Sequence, residues 1–259
     1  MLVMKRLLIT LIAVCSTLTS FGWGQKGHDI VAYIAECNLS PRAYRKVVAA
    51  LDGHSPVYYA NWLDGASHTP EYAYTKTWHY ANVDEGQTFA TQPRNEKGDV
   101  VQAVMAIVEK LKSGKLSAEE ESVNLRMLIH LVGDMHCPMH AGRLTDRGGN
   151  SVKVKFFGKQ CKLHSLWDSE IVESAHRWGY TEWQREIDRA SKVERRDIVK
   201  GTPTDWFVQT HAAAVEVYKH TPEGASLSYD YVTQFTPMVE VQLLRGGVRL
   251  AYLLNEIYR

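Results

Sequence analysis

Charge of one sign, long apolar runs and cysteine are all scarce in this chain, and each shortage removes a class of function. Thirty Lys and Arg face 29 Asp and Glu, a formal net charge of +1. That balance leaves no basic footprint of the kind that holds duplex DNA through many phosphate contacts. If the protein handles phosphate, bound metal must supply most of the positive charge. Beyond residue 22 no segment is apolar and long enough to cross a bilayer. Four cysteines occur, too few for a scaffold built on disulfides. No repeat, low-complexity tract or interdomain linker interrupts the sequence.

The first 22 residues divide as a secretory signal does. Lys5 and Arg6 give a positive start, Leu7 to Val14 a short apolar run, and Ser20-Phe21-Gly22 a small-x-small cleavage site. The run is too short to span a membrane. Val14 is also a poor residue before a lipidated Cys15. The expected mature protein therefore starts at Trp23, is secreted or periplasmic, is a monomer and has no stable membrane association. Residues 23–259 suffice for one domain with a substantial core.

That domain reads as mainly α-helical. Ile30, Val31, Ile34 and Ala35 recur at helical spacing, and Ser40-Pro41 opens a second helix with proline at its first position. Val100, Val101, Val104, Ile107, Val108 and Leu111 make an amphipathic helix. Ser117 with Glu120 forms a capping box ahead of Leu125, Leu128, Ile129 and Val132, a helix stopped by Pro138. Val152, Val154 and Phe156 alternate with Lys153 and Lys155, a short strand that Gly158-Lys159 turns back as a hairpin. Helices are expected around 163–176, 181–192 and 204–220, then a long one from about Asp230 to Tyr258. Gly246-Gly247 within it fits close helix packing or merely tolerated glycines. From Tyr58 to Gly86 no period is evident.

Imidazoles and carboxylates recur at spacings suited to metal. Trp23-Gly24 precedes Gly27-His28, so a free amine and carbonyl at Trp23 would lie one helical turn from the His28 ring. His130 and Asp134 stand four apart on one helix face, and His140 follows beyond Pro138. His164 and Asp168 repeat the pair, while Asp64 and His79 occupy the irregular region upstream. Each piece alone is more often a hydrogen-bonded surface or core group. Their conjunction in one chain points to zinc, whose mixed nitrogen and oxygen shells are catalytic rather than structural. Cys137 and Cys161 flank these residues, and of Cys37, Cys137 and Cys161 they are the favoured disulfide pair.

The chain from Trp23 onward resembles the S1/P1 zinc-dependent nucleases, within the phospholipase C/P1 nuclease superfamily. The motifs carrying the likeness are WGQKGH at 23–28, NWLD at 61–64, WHYAN at 78–82, HLVGDMHCPMH at 130–140, GGN at 148–150 and HSLWD at 164–168. The resemblance implies a single-domain helical fold of that superfamily and three zinc ions. Asp64, His79, His130 and Asp134 would hold the first, and His140, His164 and Asp168 the second. The Trp23 amine and carbonyl, His28 and a bridging Asp134 would hold the third. His136 would orient a ligand from behind, and His54, His68, His176, His211 and His220 read as ordinary polar or core residues.

On the same likeness, a hydroxide activated by the three zincs attacks phosphorus in line, with Asp64 orienting it. P–O3′ bonds of single-stranded DNA or RNA, and of 3′-nucleotides, would break to leave 5′-phosphates and nucleosides respectively. Tyr80 and Asn82 stand where fungal members carry a base-stacking Phe and a base-contacting Asp. Asn150 is a candidate phosphate contact. Ser67 replaces an arginine of the pattern, leaving His68 or Lys76 to substitute, and Cys137 replaces a glutamine. Two rivals remain: a zinc phospholipase C, opposed by Asp168 where those enzymes carry Glu, and a non-catalytic periplasmic zinc-binding protein.

Overall fold

The computed structural model describes residues 23–259. The expected signal peptide, residues 1–22 with Cys15, lies outside the described residues. The helix expected at Ile30–Ala35 is α1 (Gln25–Cys37), followed by α2 (Pro41–Ala50), where the Ser40 hydroxyl accepts from the Ala43 amide. The aperiodic stretch that follows folds into short turns of helix, α3 (Pro56–Tyr59), α4 (Trp62–Ala66) and a 3₁₀ segment, Ala73–Thr77. Their few residues cannot develop a hydrophobic period, so tertiary packing fixes them.

The amphipathic helix α5 (Val100–Lys112) is capped by Asp99, which Arg94 also holds at 2.7 Å. In α6 (Ala118–Asp134) the capping box forms as expected between Ser117 and Glu120. The helix ends at Asp134, and Pro138 opens a 3₁₀ turn, Pro138–Ala141, rather than ending α6 itself. The hairpin is present as β1 (Lys153–Phe156) and β2 (Lys159–Lys162). Phe157 and Gly158 join the strands, both at positive φ, a turn whose twist matches the strands.

The expected helix at 163–176 has an irregular centre. It comprises α7 (Leu163–Ser165), a π-helical turn Leu166–Glu170 and α8 (Ile171–Ala175). After α9 (Tyr180–Ile187) comes α10 (Lys192–Ile198), which buries no residue and so carried no apolar period. Then follow α11 (Pro203–His220), β3 (Ser226–Leu227), which adds in parallel to β1, and α12 (Tyr229–Ile257), continuous through Pro237.

Helix α1 runs through the middle of this arrangement, against α12, α9, α6 and α3. Its Ile30, Val31, Ile34 and Ala35 are all fully buried. Gly246 and Gly247 are there for close packing: a Cβ on Gly247 would lie 2.4 Å from the Cβ of Ile34. A belt of Trp167, Trp183, Trp206, Phe207 and Phe235 completes the core. No helix among the described residues is long and apolar enough to cross a membrane.

The expected disulfide is corrected. Cys37, Cys137 and Cys161 are all unpaired. Cys161 sits in the hairpin opposite Val154, whereas Cys137 is fully buried with its sulfur 3.6 Å from Asp168 Oδ1.

Candidate metal centre

Helix α6 delivers His130 and Asp134, one turn apart, to the centre of the molecule, where neither is exposed. Around Asp134 the other expected residues converge. Its Oδ2 lies 2.9 Å from His79 Nδ1 and 3.1 Å from His130 Nε2, and its Oδ1 lies 3.4 Å from His28 Nε2 and 3.6 Å from His140 Nδ1. Asp64, from α4, reaches His130 Nε2 at 3.3 Å. On the other side His164 Nε2 stands 3.3 Å from Asp168 Oδ2, and His140 Nε2 stands 3.9 Å from Asp168 Oδ1. Trp23 is buried in the core, and the Gly24 amide donates to the Asp168 carbonyl, which fastens the Trp23 segment beside the π-helical turn.

Main-chain carbonyls set the direction of three rings. Nδ1 of His130 faces Ala60 O at 2.8 Å, that of His140 faces His79 O at 2.5 Å, and that of His164 faces Gly148 O at 2.7 Å. Each contact turns Nε2 inward, the arrangement by which outer partners fix a ligating imidazole. His28 is placed by packing instead. Its ring stacks on His130 with centroids 4.0 Å apart, and Gly133 is small because a Cβ there would stand 2.7 Å from His28 Nδ1.

Electrostatics treat the buried rings unequally. Burial, helped by neighbouring His130, lowers the His28 pKa, and burial takes His140 down to about 3, so the surroundings disfavour a charged ring at both positions. Burial alone would raise the Asp134 carboxyl, but His130, His140 and His28 together hold it well below the usual carboxylate range. Burial works against a charged His130 as well, yet Asp134 and Asp64 outweigh it and raise that ring well above its ordinary value.

The residues fit a metal. Both ring nitrogens of His28, Asp64 Oδ1 and Asp134 Oδ1 are buried without a hydrogen bond, a costly state in a native interior unless an ion takes them up. Three compact groups each offer ligand atoms within 4.8 Å of one another: His28, His130 and Asp134; Asp64, His79 and His130; Cys137, His140 and Asp168.

One face of the centre opens on a cleft of about 340 Å³ lined by His79, Tyr80, Asn82, His140, Asn150 and His164. Lys76, Arg147 and Lys162 also line it. Tyr80, Asn82 and Leu144 form a ridge shared with an adjoining pocket of about 260 Å³, where Arg94 stacks on Phe89 at 3.5 Å. Asn150 additionally ties the turn down through its Nδ2, which donates to Arg147 O at 3.0 Å. Ser67 is buried with its hydroxyl on Asp64 O, so it contacts no substrate, and of the two suggested substitutes only Lys76 reaches the cleft wall. Arg147 and Lys162 were not singled out from the sequence, where they look like ordinary surface charges.

His136 departs from expectation too. Its Nδ1 donates to Val132 O at 2.7 Å and its Nε2 accepts from Arg249 of α12 at 2.9 Å, so it meets the last helix rather than a ligand side chain. His54 stacks on Tyr58, His211 bonds Ala141 O, and His176 and His220 pair with Glu240 and Glu216, all ordinary roles.

A helical scaffold around a buried imidazole–carboxylate centre, with a cationic and aromatic wall on its open side, defines a metal-dependent hydrolase of phosphate esters. The chain belongs to the S1/P1 nuclease family, whose pattern it matches over residues 23–259. It is 28% identical to Endonuclease 2 of Arabidopsis thaliana over 92% of this chain and 91% of that one. It is 27% identical to Nuclease P1 of Penicillium citrinum over 91% and 98% of the two chains. Against Nuclease S1 of Aspergillus oryzae the identity is 28% over 60% of this chain and 56% of the other. The protein is thus an enzyme acting on phosphodiester bonds, its substrate is nucleic acid, and its family is zinc-dependent.

Proposed function

We propose that the protein is a secreted nuclease that cuts P–O3′ bonds in single-stranded DNA or RNA, leaves 5′-phosphates, and removes phosphate from 3′-nucleotides. The observation that carries this reading is the convergence of His28, Asp64, His79, His130, His140, His164 and Asp168 around Asp134, beneath a cleft walled by Tyr80 and Asn82. Asp64, His79, His130 and Asp134 would hold one zinc, and His140, His164 and Asp168 a second. The Trp23 amine and carbonyl, His28 and Asp134 would hold a third. Zinc bound there supplies Lewis acidity, which lowers the pKa of a water and offsets charge on the phosphoryl oxygens.

Asp64 has the role of orienting the attacking water and taking its proton. At 28% side-chain exposure it is the one carboxylate of the cluster that solvent reaches, Asp134 and Asp168 being sealed. Tyr80 offers a ring for an unstacked base and Asn82 an amide for its edge, contacts a duplex cannot satisfy without base extrusion. Lys76, Arg147 and Lys162 take the place of the missing arginine, holding flanking phosphates. The exposed amine required at Trp23 ties activity to removal of residues 1–22.

The test is hydrolysis of single-stranded DNA by zinc-loaded protein beginning at Trp23, with the new ends identified. Zinc-dependent release of 5′-phosphate ends is expected; 3′-phosphate ends, or no cleavage at full zinc occupancy, would overturn the reading. A protein retaining one residue before Trp23 should lose one zinc and most activity. Full activity in that extended form would remove Trp23 from the centre.

A further inference from the structure

We propose that Cys137 is itself a metal ligand, its sulfur joining His140 and Asp168 around one ion. The proposal rests on the zinc reading above and adds a donor that reading does not contain. Cys137 lies in the turn between α6 and the 3₁₀ segment, in an extended backbone conformation. Its side chain has no solvent exposure. Sγ is 3.6 Å from Asp168 Oδ1, and the ligand atoms of Cys137, His140 and Asp168 all lie within 4.8 Å of one another.

Geometry and chemistry agree. Tetrahedral zinc with Zn–S near 2.3 Å and Zn–O near 2.0 Å separates sulfur from oxygen by about 3.5 Å, close to the distance observed. A second observation is independent of the cysteine. Asp134 Oδ1 and both nitrogens of His28, all buried, have no hydrogen bond, and that Oδ1 faces His140 Nδ1 at 3.6 Å. Beside His140 there is thus a buried carboxylate oxygen, Asp134 Oδ1, that no protein donor fills, while the His28 nitrogens open on the neighbouring group with His130. Neither alternative use of the thiol suits it: it forms no disulfide, and solvent does not reach it.

Coordination exchanges the thiol proton for the metal: the S–H bond breaks, an S–metal bond forms, and the proton passes to solvent. The resulting thiolate adds a fourth negative charge to the three that Asp64, Asp134 and Asp168 bring against the metal dications. It makes that ion softer and less electrophilic than its neighbours, and biases the position toward zinc and against hard cations. A division of labour follows, with the ion at His140 and Asp168 held tightly and the ion nearest Asp64 left the stronger Lewis acid.

The experiment uses protein beginning at Trp23 with Cys37 and Cys161 replaced by serine, loaded separately with Zn²⁺ and Co²⁺ at measured stoichiometry. Expected are a near-ultraviolet sulfur-to-cobalt charge-transfer band and a Zn–S shell near 2.3 Å in X-ray absorption. Both should vanish in C137S and C137Q, with one zinc lost to a chelator at more than about tenfold lower concentration. Full metal loading without the band or the shell would overturn the proposal, leaving Cys137 as a thiol hydrogen-bonded to Asp168. Failure to bind zinc at all would overturn this proposal and the zinc reading together. Intact loading without hydrolysis, but with the sulfur signals present, would sink only the nuclease mechanism. The parent spectra decide the matter even if a variant folds poorly.

Discussion

The two walls of the cleft are built on different terms. Its floor is carried mainly by α1, α6 and the irregular helix at 163–175, with His79 supplied by the turn after the 3₁₀ segment Ala73–Thr77, and His28, His79, His130, Asp134 and Asp168 show almost no exposure there. Its open wall is carried by the 3₁₀ segment Ala73–Thr77, a loop and a strand end, and Lys76, Arg147 and Lys162 stand in solvent. Reactive groups sit on rigid elements with their directions set by carbonyls and packing, whereas the groups that meet substrate sit where exchange costs the fold little. Chemistry and selectivity should therefore separate under mutation.

Asp64→Asn should give the largest effect, a fall in kcat of about 10²–10⁴-fold. Zinc content by metal analysis should stay near that of the parent, the Asn carbonyl oxygen serving as donor in place of the carboxylate, and a parallel loss of zinc would mean that the fall reports a missing ion rather than a missing base. Next comes Gly133→Ala. Its new methyl would meet His28 at 2.7 Å, so overpacking should cost about 1–3 kcal/mol, read as a lowered Tm, together with one zinc. A change confined to the floor that left both readings untouched would break the contrast between walls.

On the open wall Tyr80→Ala should lower kcat/KM on single-stranded polymer by about 5- to 150-fold, since stacking one base is worth about 1–3 kcal/mol. Zinc content and Tm should not move. Lys162→Ala is the mildest, an effect uniform across sequences. It should flatten the slope of log binding against log salt by about 0.7, as expected for one lost phosphate contact on a single strand. If Lys162→Ala instead changed base preference, the wall would be reading bases as well as phosphates.

Much of the floor was legible in the sequence because its spacing is helical. His130 with Asp134 and His164 with Asp168 needed only the i, i+4 rule, and α6 announced its start through Ser117 and Glu120. The pieces that escaped are those whose position depends on the rest of the molecule. The π-helical turn at Leu166–Glu170 leaves no periodic trace, and β3 is two residues long. Helix α10 lacked an apolar face, although Ser191 followed by Glu194 is a capping box that could have revealed it. Arg147 and Lys162 reach the cleft only because the turn after α6 and the hairpin converge on it. The Cys137–Cys161 pairing is absent for the opposite reason: closeness to ligands along the chain does not bring the two sulfurs together.

The bond from Arg249 to His136 ties the metal centre to the far side of the fold. Arg249 is 1% exposed, and the buried guanidinium also reaches the Ile198 carbonyl at 2.9 Å. Gln242 of the same helix donates to His136 O at 3.0 Å. The turn that carries His140 is thus braced from behind by α12, which also covers the apolar face of α1. One helix therefore serves both as core and as backing for the centre, so loosening α12 would weaken the fold and the metal site together.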